Sequence, residues 1–111
     1  ANLAQEGLEA VRGLRDNNWL QSLAWNNGLG NGDYNVSYDS LSLSGFVDTP
    51  LLFNSGTGLY NYLVGAPTIF KRKISIANLS AYEIRAVATV TWQTRGATYQ
   101  TSAEEHLFNW K

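Results

Sequence analysis

The most regular pattern in the sequence is Tyr82-Glu-Ile-Arg-Ala-Val-Ala-Thr-Val-Thr-Trp-Gln-Thr-Arg-Gly-Ala-Thr-Tyr99. In it Tyr82, Ile84, Ala86, Ala88, Val90 and Trp92 recur at every second position, with Glu83, Arg85, Thr89, Thr91 and Gln93 between them. A strand sends successive side chains to opposite faces, so the segment reads as a strand with one buried and one wet face. Arg95-Gly96 then supplies the two residues of a tight hairpin loop. That loop pairs Thr94 with Ala97 and sets Trp92 opposite Tyr99, an aromatic cross-strand pair of the kind that contributes about 0.2 to 1 kcal/mol.

Upstream of the hairpin, Thr68–Leu79 is a second β-rich run. It holds Lys71-Arg72-Lys73, the one basic run in the chain. A strand divides that run between faces, Lys71 with Lys73 on one and Arg72 beside Phe70 and Ile74 on the other, and the expectation is a solvated strand. Earlier still, Tyr34, Val36 and Tyr38 alternate with Asn35 and Ser37, and Leu41 and Leu43 alternate with serines. Leu59–Leu63 reads as a further strand after the turn Asn54-Ser55-Gly56-Thr57-Gly58. Residues 26–33, Asn-Asn-Gly-Leu-Gly-Asn-Gly-Asp, are turn formers and read as a loop.

Residues 1–16 follow a different period. At 100° per residue Leu3, Ala4, Gly7, Leu8, Ala10, Val11 and Leu14 share one face, opposite Gln5, Glu6, Glu9, Arg12 and Asp16. Glu9 with Arg12 and Arg12 with Asp16 stand at ion-pair spacing on a helix surface. Asn17 and Asn18 read as stop residues, so Trp19, Leu20, Leu23 and Trp25 are expected in a bent or separate short helix. Ala1-Asn2 gives no helix start signal, and the expectation is that this helix continues a longer one upstream. The whole reads as one α+β domain over 1–111. An N-terminal amphipathic helix (1–16) is followed by a short helix and loop (17–33), and strands of an antiparallel sheet fill 34–111, the helix covering the sheet's apolar face. Leu3, Ala4, Leu8, Val11 and Leu14 form the face expected to meet the sheet.

Composition narrows the function classes. A net charge of -1 argues against a phosphate-backbone binder, because such affinity comes from clustered Lys and Arg releasing counterions. The absence of Cys excludes disulfides, thiolate metal sites and Cys nucleophiles. His106, the one histidine, sits in Glu104-Glu105-His106 with no nucleophile elbow, P-loop or zincin motif, so it reads as a surface histidine on the last strand. No catalytic residues and no cofactor are assigned. Asn31-Gly32-Asp33 with Asp39 offers oxygen ligands of the type Ca²⁺ takes, but Asn and Asp beside Gly are also ordinary turn residues. Lys71 and Lys73 with Tyr60 and Tyr62 are candidate contacts for single-stranded nucleic acid. Trp25, Tyr34 and Tyr38 are alternatives for stacking on sugars.

Three segments resemble type IV pilin-like proteins, within the minor pilin and pseudopilin branch. Glu6-Gly-Leu-Glu-Ala-Val-Arg-Gly-Leu-Arg-Asp-Asn-Asn-Trp19 resembles the second half of the long pilin helix, and Phe70-Lys-Arg-Lys-Ile-Ser-Ile76 the strand that follows in such sequences. Thr89-Val-Thr-Trp92, the Gly-containing hairpin and Leu107-Phe-Asn-Trp110 resemble the closing strands. The resemblance implies a structural filament subunit at the cell surface, anchored before assembly in the inner or cytoplasmic membrane by an upstream hydrophobic helix behind a cleaved leader. It implies other pilin subunits and the pilus assembly machinery as partners, with Glu6, Glu9, Arg12 and Arg15 on the polar helix face as candidate subunit contacts. Many pilins close a C-terminal loop with a disulfide, which this Cys-free chain cannot do. A ligand-binding module, either a DNA-uptake or adhesive pilin or a carbohydrate-binding domain, is the alternative.

Overall fold

The computed structural model describes residues 3–37 and 42–109, so Tyr38, Asp39, Leu41 and Trp110 lie outside the described residues. Among the described residues one helix, α1 (Leu3–Leu20), precedes eight strands: β1 (Gly32–Asn35), β2 (Ser44–Gly45), β3 (Leu52–Asn54), β4 (Leu59–Asn61), β5 (Ala66–Pro67), β6 (Lys71–Asn78), β7 (Glu83–Thr94) and β8 (Ala97–Phe108). The chain is α+β, with an antiparallel five-stranded sheet in the order β2-β1-β6-β7-β8. Helix α1 contacts β6, β7 and β8. Among the described residues no helix is long and apolar enough to cross a membrane.

The hairpin that organises the sheet forms in the expected register, Thr94 opposite Ala97 and Trp92 opposite Tyr99. Arg95 and Gly96 both take positive φ, 52° and 76°. This is the backbone of a type I′ loop, whose twist matches that of the strands it joins. The Trp92 and Tyr99 rings stack at 5.9 Å, and Phe70 meets Trp92 edge-on at 5.7 Å. Ile84, Ala86, Ala88 and Val90 are buried beneath α1, as their alternation requires. Tyr82 departs from that alternation: it precedes the strand in the β6–β7 turn and is exposed.

Two further expectations are corrected. The helix does not stop at Asn17-Asn18 but runs to Leu20. Its buried stripe continues with polar members, Leu3, Ala4, Gly7, Leu8, Val11, Arg15 and Asn18, so apolar periodicity fades before the helix does. Asn18 is buried and donates to the carbonyls of Trp25 and Asn27, tying the following loop to the helix. The stop lies at Ser22, which takes φ 58°. Leu23 N–H bonds to Asn18 C=O and Ser22 N–H to Trp19 C=O, the two bonds of a Schellman motif.

The strands after residue 34 do not form one sheet. β4, β3 and β5 make a separate three-stranded sheet, because the turn after Asn54 folds Leu59–Asn61 back on Leu52–Asn54 locally. Gly65 returns the chain to β5 at φ 127°, so close to the Phe53 carbonyl that any Cβ would collide with it. Leu51, fully buried, bonds to both Thr68 and Phe70 and links this small sheet to the start of β6.

The glycines of α1 give opposite predictions. A Cβ at Gly13 meets nothing within 4 Å, whereas one at Gly7 lies 2.9 Å from Ile74 Cδ1 and 3.0 Å from Arg72 Cδ, both on buried side chains. Gly13→Ala is expected to raise urea-unfolding stability by about 1 kcal/mol, the helix propensity difference. Gly7→Ala is expected to lower it, since overpacking outweighs that gain.

Candidate functional site

Three surfaces gather the chemically capable side chains: the helix–sheet seam, the open face of the sheet and the rim of the small sheet.

At the seam lies Arg72, and here the expectation of a solvated basic strand fails. Its inward position on β6 puts the side chain under α1 with 1% of the residue exposed. A buried guanidinium must meet acceptors. Nη1 donates to Leu3 C=O at 2.9 Å and to Glu6 Oε1 at 3.1 Å, and Nη2 donates to Val36 C=O at 2.6 Å. Nε has no partner. One side chain thus joins the first turn of α1, strand β6 and the segment after β1. Glu6, expected on an intersubunit face, faces inward to this cation.

Farther along the helix, Arg12 reaches Glu105 on β8 with two bonds, Nε–Oε1 at 3.1 Å and Nη2–Oε2 at 2.7 Å. The direct bonds of Arg12 thus go to Glu105, while Glu9 and Asp16, its expected helix-surface partners, act on it through charge. Arg15 is buried as well, bonded to Asp16 and seated over the Trp19 ring at 4.8 Å. Of the four candidate subunit contacts Glu9 is the exposed one, near enough to act on Arg12 through charge. Leu3, Ala4, Leu8 and Val11 are buried in the core, and Leu14 packs half-buried against it.

The open face carries a charged lattice on β7 and β8. His106 Nδ1 lies 2.7 Å from Glu83 Oε2, and Nε2 lies 3.0 Å from Glu104 Oε2. Arg85 Nη2 lies 2.8 Å from Glu104 Oε1. An imidazolium donates from both nitrogens, so the pKa of His106 rises, the Glu83 hydrogen bond being the larger cause and that to Glu104 the next. Glu104 is pulled down to about 2, first by its hydrogen bond from Arg85 and then by that from His106. Cross-strand geometry, not spacing in sequence, assembles this lattice: Arg85 faces His106 directly, and Glu83 and Glu104 flank that pair.

The candidate ligand residues are not brought together. Lys71 pairs with Asp48 at 3.3 Å and Lys73 lies over the Phe46 ring at 5.9 Å, both beside one surface depression of about 250 Å³. Tyr60 instead packs on Phe53, and the Tyr62 hydroxyl accepts from Asn35 at the edge of another depression of about 430 Å³. Trp25 and Tyr34 are not open stacking platforms. Trp25 is buried and donates to Ala81 C=O, while Tyr34 is half-buried and donates to Gly30 C=O. In the candidate cation loop, Asn31 Oδ1 accepts from Asn78 and Asp33 Oδ1 from Ser75, so both oxygens join the loop to β6. Among the described residues no group of three or more His, Cys, Asp or Glu side chains is placed to hold a metal ion.

Comparison with family models, curated proteins and solved structures finds no match to the chain.

The lattice has a pH signature. The raised His106 pKa gives stability that is complete below the ordinary 6.5 and lost as pH rises through the folded-state value. The lowered Glu104 pKa gives stability that is complete above the ordinary 4.5 and lost as pH falls towards 2. Both contributions are therefore complete between pH 4.5 and 6.5. The melting temperature of wild type relative to His106→Gln is expected to differ most in that window, and less in high salt because the groups are solvent-facing. A difference independent of pH would contradict the lattice.

Proposed function

We propose that this chain is the head domain of a type IV pilin-like filament subunit, a structural protein without catalysis or cofactor. The observation that carries the reading is α1 laid by a buried stripe across β6, β7 and β8, as in the helix-on-sheet order that the sequence resemblance implies. Burial of the stripe and the Arg72 and Arg12 links tie that helix to the sheet. On this reading the partners are other pilin subunits and the assembly machinery, the site is a cell-surface filament, and an upstream hydrophobic helix provides the membrane anchor before assembly. Glu9 is the candidate contact left on the outward helix face.

Antibodies raised against the chain should label filaments sheared from the cells of origin and follow the filament fraction through density sedimentation. Label confined to the cell body, with none in the sheared fraction, would contradict the proposal.

A ligand-binding role has one observation in its favour. Tyr99 is 48% exposed over Trp92, which borders a depression of about 380 Å³ that Lys71 also lines. Saturable quenching of tryptophan fluorescence by single-stranded DNA or a glycan, abolished in Tyr99→Ala, is the outcome that reading requires.

A further inference from the structure

The five-stranded sheet ends on one side in β2, two residues long, and on the other in β8, which runs for 12. Pairing of β8 with β7 is continuous from Ala97 to Phe108, with no bulge to twist the edge away. The two-residue loop makes Thr94 and Ala97 the first hydrogen-bonded pair, and alternation then fixes the rest. Ala97, Tyr99, Thr101, Ala103, Glu105 and Leu107 turn their backbone groups to β7. Thr98, Gln100, Ser102, Glu104 and His106 turn theirs outward. No Pro, Lys or Arg occurs from Ala97 to Phe108, and Glu104, Glu105 and His106 fall near the end of the strand, so Ala97–Ala103 carries none of the charges with which proteins blunt exposed edges.

We propose that β8 pairs antiparallel with β8 of a second copy of this chain, about a twofold axis at Ser102, extending the sheet across a dimer. Three observations select this occupant and this direction. A parallel pair would set Glu104 and Glu105 against themselves, which like-charge repulsion disfavours. The antiparallel pair about Ser102 puts Gln100 across from Glu104, Thr98 from His106 and Tyr99 from Glu105, so no like charges oppose. Each of these pairs also joins residues of one sheet face, which keeps the polar face continuous. Finally, the other edges among the described residues, β2, β4 and β5, are two or three residues long, so only another β8 matches this edge in length. The contact is isologous and closes as a dimer without propagating into a fibre.

Sedimentation equilibrium of the chain is expected to give a concentration-dependent dimer mass. Ser102→Pro removes an outward N–H and leaves the β7–β8 ladder intact, so it is expected to give a monomer with an unchanged circular dichroism spectrum. A wild-type monomer at millimolar concentration, or a dimer that survives Ser102→Pro, would overturn the pairing. A second variant decides the matter if Ser102→Pro does not fold. At the twofold axis paired Cα atoms stand about 5.5 Å apart, within disulfide reach. Ser102→Cys, the one thiol in its chain, is thus expected to oxidise to a disulfide dimer at least about tenfold faster than Thr98→Cys, whose counterpart lies far along the partner strand. Equal rates would also overturn the proposal. The mass of the isolated chain reads this pairing alone, and filament fractionation reads the filament proposal, so either can fail without the other.

Discussion

A guanidinium buried between a helix and a sheet is tolerated only where acceptors meet most of its charge, and Arg72 finds three of them, on α1 and on the segment after β1. Two are backbone carbonyls, of Leu3 and Val36, so the requirement falls on where the chain runs and not only on side-chain choice. The third, Glu6, neutralises the charge from the first turns of α1. If the helix shifts by one turn along the sheet, Leu3 C=O and Glu6 leave the guanidinium together. The apolar stripe supplies the driving force for docking, but burial is non-directional. Arg72 supplies the register.

The same seam explains how the two faces of the sheet divide. The inward face is small at its centre, Ala86 and Ala88 on β7, which lets α1 approach closely, and Gly7 provides the matching gap above Arg72 and Ile74. At the β8 end the Arg12–Glu105 fork holds the helix to the outermost strand. The outward face carries Glu83, Arg85, Glu104 and His106 in a lattice that adds charge order to the hairpin without covering it. Helix, sheet and open edge thus present three different surfaces to any partner.

Much of the architecture was legible because it follows simple periods. The alternation from Ile84 to Trp92 and the Arg95-Gly96 loop set strand, face and register, and the 3.6-residue stripe from Leu3 to Val11 set the helix. What escaped reading involves polar residues acting as core. Arg15 and Asn18 extend the buried face of α1 while looking like surface and stop signals, so the helix seemed to end four residues early. Arg72 lay on the inward parity between Phe70 and Ile74, which was the available signal, but its two lysine neighbours made the run resemble solvent-facing charge. Of the small second sheet only β4 was legible, in Leu59–Leu63, because β3 and β5 are too short for alternation to register. The Glu83–His106–Glu104 lattice was not legible at all, since cross-strand neighbours are set by register and not by spacing along the chain.

Whether Arg72 seats the helix is read from equilibrium urea unfolding of Arg72→Met. Methionine keeps much of the volume but takes the donor from the Val36 carbonyl, the second donor from the Leu3 carbonyl and the cation from Glu6. The expected loss is about 3 kcal/mol, from the lost charge-assisted bonds to the Val36 and Leu3 carbonyls and the broken ion pair with Glu6. Unchanged or increased stability would contradict it, because hydrophobic packing alone would then suffice to place α1 on the sheet.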